Sequence, residues 1–169
     1  MSAVAVRSLR REDAAYFAQE ERKQGWHASP DKLLSRLVDE EAGLCASFIA
    51  ELDGEGAGYM FVYPSPNAGA FEGKGIPEIV DLAVLEKFRR QGIASRLLDE
   101  AERYAAGMAD TVCLGVGMHA GYGEAQRLYV RRGYVPDGTG VWYRDAPAEP
   151  YAAVENGDDL VLYLSKKLR

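Results

Sequence analysis

At 169 residues the chain is one domain's length, residues 1–169, and area scaling lets it bury about 69% of its surface without staples. Hydrophobic residues at 47% exclude disorder, and 26 acidic against 20 basic side chains, a net charge of −6, exclude a general nucleic-acid binder. No run reaches the ~20 apolar residues of a membrane span, the stretch from Met1 to Ser8 has no leader core, and Cys45 and Cys113 form no disulfide framework, so a cytoplasmic protein without a membrane partner is expected, a homodimer being left open.

Val4–Leu9 alternates as a first strand. Asp13 is placed to cap a helix over Ala14–Gln24 that stops at Gly25, and Ser29-Pro30 opens a second helix whose apolar face holds Leu33, Leu34, Leu37 and Val38. From Leu44 the period falls to two. Cys45–Leu52 and Ala57–Tyr63 are predicted strands around a turn at Asp53–Gly56, and Pro64–Gly75 is a loop. Ile76–Leu85 is an apolar strand that nevertheless contains Glu78 and Asp81. Ile93–Ala106 is an amphipathic helix ended by Gly107, Thr111–Val116 a buried strand, and Glu124–Arg132 a short helix stopped by Gly133. A strand beginning at Tyr134 is interrupted by Pro136-Asp137-Gly138, Asp145–Asp159 is a connection, and Leu160–Leu164 is the last strand. This order predicts the α/β class: a mixed sheet with helices on its faces.

The junction Lys87-Phe88-Arg89-Arg90-Gln91-Gly92-Ile93-Ala94-Ser95 lies between the best strand and the best helix. Glycine at 92 and a small residue at 94 leave backbone N–H groups uncovered at the positive end of the helix, an anion site suited to a pyrophosphate. Lys87, Arg89, Arg90 and Arg96 gather there in an otherwise acidic chain. A Walker loop is excluded because no Gly-Lys-Ser/Thr follows, and a Rossmann fingerprint because Gly-x-Gly-x-x-Gly is absent. Gly115–Gly123 superficially resembles a nucleotide loop, and a nucleotide-binding enzyme built on it is a minor alternative.

Two segments in order resemble the GNAT superfamily of N-acetyltransferases. The first is Glu78-Ile-Val-Asp-Leu-Ala-Val-Leu-Glu-Lys-Phe-Arg-Arg-Gln-Gly-Ile-Ala-Ser-Arg-Leu-Leu, and the second is Ala125-Gln-Arg-Leu-Tyr129-Val-Arg-Arg-Gly133-Tyr134. Two departures stand out: Glu86 replaces a proline usual before the turn, and Tyr122 stands where many members carry asparagine. The resemblance implies a central, mostly antiparallel sheet splayed between its fourth and fifth strands, with helices on both faces. It implies acetyl-CoA as co-substrate and acetyl transfer to a primary amine of a small molecule or a peptide. By the same resemblance the backbone of Leu82, Ala83 and Val84, next to a bulge often found on that strand, holds the pantetheine arm and polarises the thioester carbonyl. Arg89, Arg90, Gln91, Gly92, Ile93, Ala94 and Ser95 would hold the pyrophosphate, and Tyr129 would protonate the departing thiolate.

An amine with a pKa near ~10.4 must lose a proton before it attacks, and Glu78, Asp81 or a water is the candidate base. Strand alternation sets 78 and 81 on opposite faces unless a bulge intervenes. Cys113 has no activating histidine near it in sequence, so a covalent acetyl-enzyme is not expected, and His27 and His119 lack partners at metal spacing. Trp26-His27, Pro64–Gly75 and Trp142–Ala153 are the variable parts that would set acceptor specificity. The acidic clusters 39–41 and 155–159 read as solvated surface, favouring a cationic acceptor only if they border the site. A non-catalytic acyl-CoA sensor would keep the turn but need no base; the acidic strand and Tyr129 favour an enzyme.

Overall fold

Strands and helices are interspersed along residues 3–169, which a computed structural model describes; Met1 and Ser2, the start of the stretch read for a leader, lie outside the described residues. The order is β1 (Val4–Arg7), α1 (Arg11–Lys23), α2 (Asp31–Glu41), β2 (Ala46–Leu52), β3 (Glu55–Tyr63), β4 (Glu78–Val84), α3 (Ile93–Ala106), β5 (Thr111–Gly117), α4 (Gly123–Arg131), β6 (Val135–Tyr143), β7 (Ala146–Pro147) and β8 (Leu160–Lys167). Hydrogen-bonded neighbours give one sheet in the order β1-β2-β3-β4-β5-β8-β6-β7. The chain forms two compact units, Met1–Tyr63 with Val80–Tyr104, and Pro64–Ile79 with Ala105–Arg169. Among the described residues no helix is long and apolar enough to cross a membrane.

In the first unit β1, β2 and β3 pair antiparallel. The hairpin turn is tighter than the sequence suggested. Asp53 (φ 52°) and Gly54 (φ 82°) alone form it, since two left-handed residues match the strand twist, and Glu55 and Gly56 already belong to β3. Register fixes the faces: Ile49 stands opposite Tyr59, and Phe48 opposite Met60. Phe17 of α1 meets Tyr59 edge-on at 5.0 Å and Lys32 of α2 donates to the Tyr59 hydroxyl, so both helices cover that face. Tyr104 of α3 meets Phe48 edge-on at 5.8 Å on the other face. Phe17, Ile49, Met60, Leu97 and Leu98 are fully buried between these layers.

Two helix starts differ from expectation. Asp13 is the third helical residue of α1, not its cap; its carboxylate takes the Arg10 N–H at 2.7 Å and a two-pronged pair from Arg7 at 2.8 Å. Proline at 30 takes the position before α2, and the Ser29 hydroxyl accepts from the Asp31 N–H at 3.2 Å.

In the second unit β5 pairs antiparallel with β8 along its whole length, and β6 lies beyond β8. The first residues of β4 add a short parallel step, Glu78 opposite Cys113 and Ile79 opposite Leu114. Pro136-Asp137-Gly138 does not break β6. Pro136 still stands opposite Leu164; the register then jumps, residues 137–140 stand outside the ladder, and pairing resumes with Val141 opposite Leu162. The connection after β6 contains the short strand β7, paired through Trp142 and Pro147. Phe71, Cys113 and Tyr163 form a buried cluster against which Trp142 packs.

Candidate active site

The turn before α3 belongs to the first unit. Arg90 (φ 61°) and Gly92 (φ 78°) are both left-handed, and no atom lies within 4 Å of where a Cβ would stand on Gly92. The first α3 hydrogen bond runs from Arg96 N–H to Gly92 at 3.0 Å, so the N–H groups of Ile93, Ala94 and Ser95 lie at the open end of the helix. The charge there differs from the sequence count. Lys87 is held by Glu55 at 2.5 Å and Glu20 at 3.1 Å, and Arg96 is bonded to Glu100. Arg90 has no ion pair among the described residues, and Arg89 lies over the Trp26 ring at 5.8 Å, 4.0 Å from Glu86. Of the four cations, Arg90 is thus without an ion pair among the described residues and Arg89 has only its long contact to Glu86. Trp26 and His27, with Arg22, Ala28 and Ser29, line a cavity of about 520 Å³.

Strand β4 carries a bulge at one of the two singled-out carboxylates. Asp81 has φ 58°; the other non-glycine residues with positive φ, among those described, all lie in turns or connections. Simple alternation from Glu78 therefore fails. The Asp81 Oδ2 accepts from Arg36 Nε at 2.7 Å, with Nη2 at the same distance. Arg36 Nη1 donates to the Tyr63 hydroxyl at 2.7 Å, which donates to Asp39 at 2.5 Å. Burial lowers the Arg36 pKa, but Asp81 and Tyr63 raise it more, and the guanidinium ends above its ordinary value. Leu82, Ala83 and Val84 stay half-exposed although apolar. The acidic cluster at 39–41 is not simply solvated: Asp39 serves Tyr63, and Glu40 accepts from the Ser47 N–H at 3.1 Å and from its hydroxyl. Arg36 escaped the sequence reading, although its position three residues after Leu33 places it beside the apolar stripe of α2.

The second unit holds the other candidates. Tyr129 on α4 is 6% exposed, its ring edge-on to Tyr134 at 5.8 Å. Burial first, then Tyr122, holds this phenol above the ordinary tyrosine range, so it stays protonated at neutral pH. Glu78 is half-buried at the start of β4, and its charge helps raise the pKa values of Cys113 and Tyr163, after burial in each case. The Cys113 thiol is buried and points to the Pro77 carbonyl at 3.4 Å. Gly115–Gly123 is not an open phosphate loop: Gly115 and Gly117 lie within β5, and the Tyr122 ring fills the space a side chain at 117 would need. His119 and Tyr122 instead grip Asp158, with Nε2 at 3.1 Å and the phenol at 2.9 Å from Oδ1. The Gly121 N–H donates to His119 Nδ1 at 3.0 Å, which places the imidazole proton on Nε2. Asp158 is held below its ordinary value by these two hydrogen bonds. Of the expected specificity aromatics, Trp142 packs edge-on to Tyr163 at 5.5 Å, while Tyr151 is fully exposed.

A mixed sheet with one parallel step at β4–β5 and helices on both faces of its first half matches the fold of solved GNAT structures. The chain belongs to the acetyltransferase (GNAT) family, whose profile matches residues 6–134. Solved structures share the fold. The yncA protein from Salmonella typhimurium, solved with its cofactor acetyl-CoA, is 14% identical with a TM-score of 0.68, over 99% of this chain and 95% of that one. A spermidine N-acetyltransferase SpeG chimera from Vibrio cholerae is 15% identical (TM-score 0.67, 98% and 95% covered). A ribosomal-protein-alanine N-acetyltransferase from Escherichia coli is 18% identical (TM-score 0.66, 98% and 94% covered). No curated protein matches the sequence significantly. The family uses acetyl-CoA as co-substrate, and the turn fits its pyrophosphate: free space at Gly92, helix-end N–H groups and two arginines.

Proposed function

We propose that the protein is a single-domain cytoplasmic N-acetyltransferase that moves an acetyl group from acetyl-CoA directly to a primary amine of a small molecule or a peptide. The observation that carries this reading is Tyr129, buried on α4 with its ring against Tyr134, whose phenol burial keeps protonated. A module that only sensed the cofactor would need the turn but not this acid. Neighbours of the same fold include enzymes named for spermidine and for a ribosomal-protein alanine, so the fold serves acceptors of both sizes.

Acetyl-CoA, when bound, supplies an activated thioester carbonyl and a sulfur that must be protonated as it leaves. The N–H groups of Gln91, Gly92, Ile93, Ala94 and Ser95, with Arg89 and Arg90, hold its pyrophosphate. Backbone groups of Leu82, Ala83 and Val84 take the pantetheine arm and polarise the carbonyl. An acceptor amine near pKa ~10.4 is mostly protonated at pH 7. Glu78, or a water ordered by it, takes that proton, and the amine nitrogen then forms the new C–N bond as the C–S bond breaks. Tyr129 gives its proton to the sulfur and is reprotonated, through water, by the second proton that the acylated nitrogen sheds, so that one proton, the one taken first, is released in all.

Thermal shifts with acetyl-CoA, ATP and NAD test the first step. Acetyl-CoA alone should stabilise, by about 2.7 kcal/mol at a hundredfold excess over Kd. No stabilisation by acetyl-CoA would sink the proposal. Release of free thiol with a panel of amines tests the second step, and binding without release on any amine would leave only a cofactor-binding module.

A further inference from the structure

We infer that Arg36 is a positioning residue: clamped by Tyr63 and Asp39, it holds Asp81 in its left-handed conformation and so sets the backbone of Leu82, Ala83 and Val84. The inference rests on the acetyl-transfer reading for what those three residues do, but not for the geometry itself.

A non-glycine residue with φ 58° in the middle of a strand persists only where its surroundings over-determine it. Here the surroundings are explicit. Two nitrogens of one guanidinium fork reach the same Asp81 oxygen at 2.7 Å. The third is fixed by the Tyr63 hydroxyl, itself anchored on Asp39. The fork is stacked as well as bonded, its carbon 5.1 Å from the centre of the Tyr63 ring and 5.8 Å from that of Phe61. It cannot swing without giving up all of these partners. On the other side β3 approaches so closely that a Cβ on Gly58 would stand 2.6 Å from the Ala83 carbonyl oxygen. The segment after the bulge is thus gripped from two directions, by a bare glycine backbone and by an arginine on α2. The same arrangement commits the Asp81 carboxylate to a cation. Asp81 then serves the reaction through the backbone conformation it supports, and the proton from the amine goes to Glu78 or water.

The test is a series: Asp81→Ala, Asp81→Gly, Arg36→Ala and Arg36→Lys. Each is measured for acetyl-CoA affinity by calorimetry, for kcat and its pH profile by thiol release, and for stability by urea unfolding. Glycine adopts φ 58° without help, so Asp81→Gly should keep acetyl-CoA affinity and kcat within about threefold, with an unchanged pH profile, while Asp81→Ala loses about tenfold or more. Arg36→Ala should lose about tenfold, and Arg36→Lys should recover part of it through one remaining hydrogen bond. Stability should fall in both Asp81 variants, because both leave Arg36 half-buried without its partner. If Asp81→Gly is as inactive as Asp81→Ala, the carboxylate itself is required and the inference is wrong. A crystal structure of Arg36→Ala decides the geometry independently of any activity. Residue 81 leaving the left-handed region supports the inference, and residue 81 staying there overturns it. Failure of the wild-type protein to bind acetyl-CoA or release thiol would instead count against the acetyl-transfer reading.

Discussion

Replacing Gly58 by alanine perturbs the proposed cofactor strand without touching a charged or reactive group. A Cβ there would stand 2.6 Å from the Ala83 carbonyl oxygen and 3.3 Å from Val84 Cα and Cγ2. The first contact is with backbone and cannot be relieved by turning a side chain. Restoring an ordinary separation of about 3.4 Å moves the Ala83 carbonyl by about 0.8 Å, or moves β3 by as much. Overpacking of this kind costs about 1–3 kcal/mol, and the lost chain entropy of glycine returns about 0.5–1, so a net destabilisation of about 1–2 kcal/mol is expected. The kinetic effect should be larger. A displacement near 1 Å in a group that orients a reacting carbonyl costs up to about a hundredfold, so kcat should fall by about ten- to a hundredfold.

The assay pairs thiol-release kinetics and acetyl-CoA calorimetry with urea unfolding, and uses Gly56→Ala as its control. A Cβ at 56 would meet Tyr16 Cε1 at 2.7 Å, but that is a ring edge which can turn away, at the cost of the Tyr16 hydrogen bond to the Gly56 carbonyl at 2.7 Å. Gly56→Ala should therefore lose stability and keep wild-type kinetics. A folded Gly58→Ala protein with wild-type kcat and acetyl-CoA affinity would show that the Ala83 backbone does not hold the thioester.

Three further outcomes follow from single side chains. Tyr129→Phe should lower kcat by about a hundredfold and leave acetyl-CoA affinity within about threefold, as calorimetry and thiol release will show; unchanged turnover removes Tyr129 from the mechanism. Arg7→Ala should cost about 3 kcal/mol in urea unfolding, because it strands the buried Asp13 carboxylate that it holds with two bonds at 2.8 Å. Burial pushes the Asp13 pKa up, but hydrogen bonds from Arg7 and Arg10 outweigh it and hold the carboxyl below its ordinary 3.8. That stability is therefore present above 3.8 and lost as pH falls through the lower folded value, and Arg7→Ala should flatten this acid limb in unfolding curves taken between pH 2 and 5. Cys113→Ala should keep turnover within about twofold, and intact-mass spectra with acetyl-CoA should show no acetyl adduct, since burial and then Glu78 and Asp137 keep the thiol protonated; an adduct would reverse this.

What the sequence disclosed follows the range of the forces involved. The helix Ile93–Ala106 is legible to the residue, because its apolar face repeats every three or four positions and Gly107 ends it. The tight turn before it is legible too, since Gly92 is left-handed and sits between a strand and that helix. The interruption of pairing in β6 is legible from Pro136-Asp137-Gly138, but the ladder with β8 that resumes at Val141 is not, because a local rule sees only the missing donor. Charges proved least legible of all. Lys87 and Arg96 count toward a basic turn along the chain, yet Glu55, Glu20 and Glu100 neutralise them in space. Asp81 shows the same effect with a consequence for chemistry. A carboxylate in an apolar strand invites a catalytic reading, and alternation asks only which face it occupies. The structure supplies a different reason for it: a guanidinium 45 residues away, reached through a bulge that alternation cannot register. Glu78 and Asp81 look equivalent in sequence as candidate bases. In three dimensions Asp81 is bonded to the Arg36 guanidinium, a contact that no periodicity along the chain discloses.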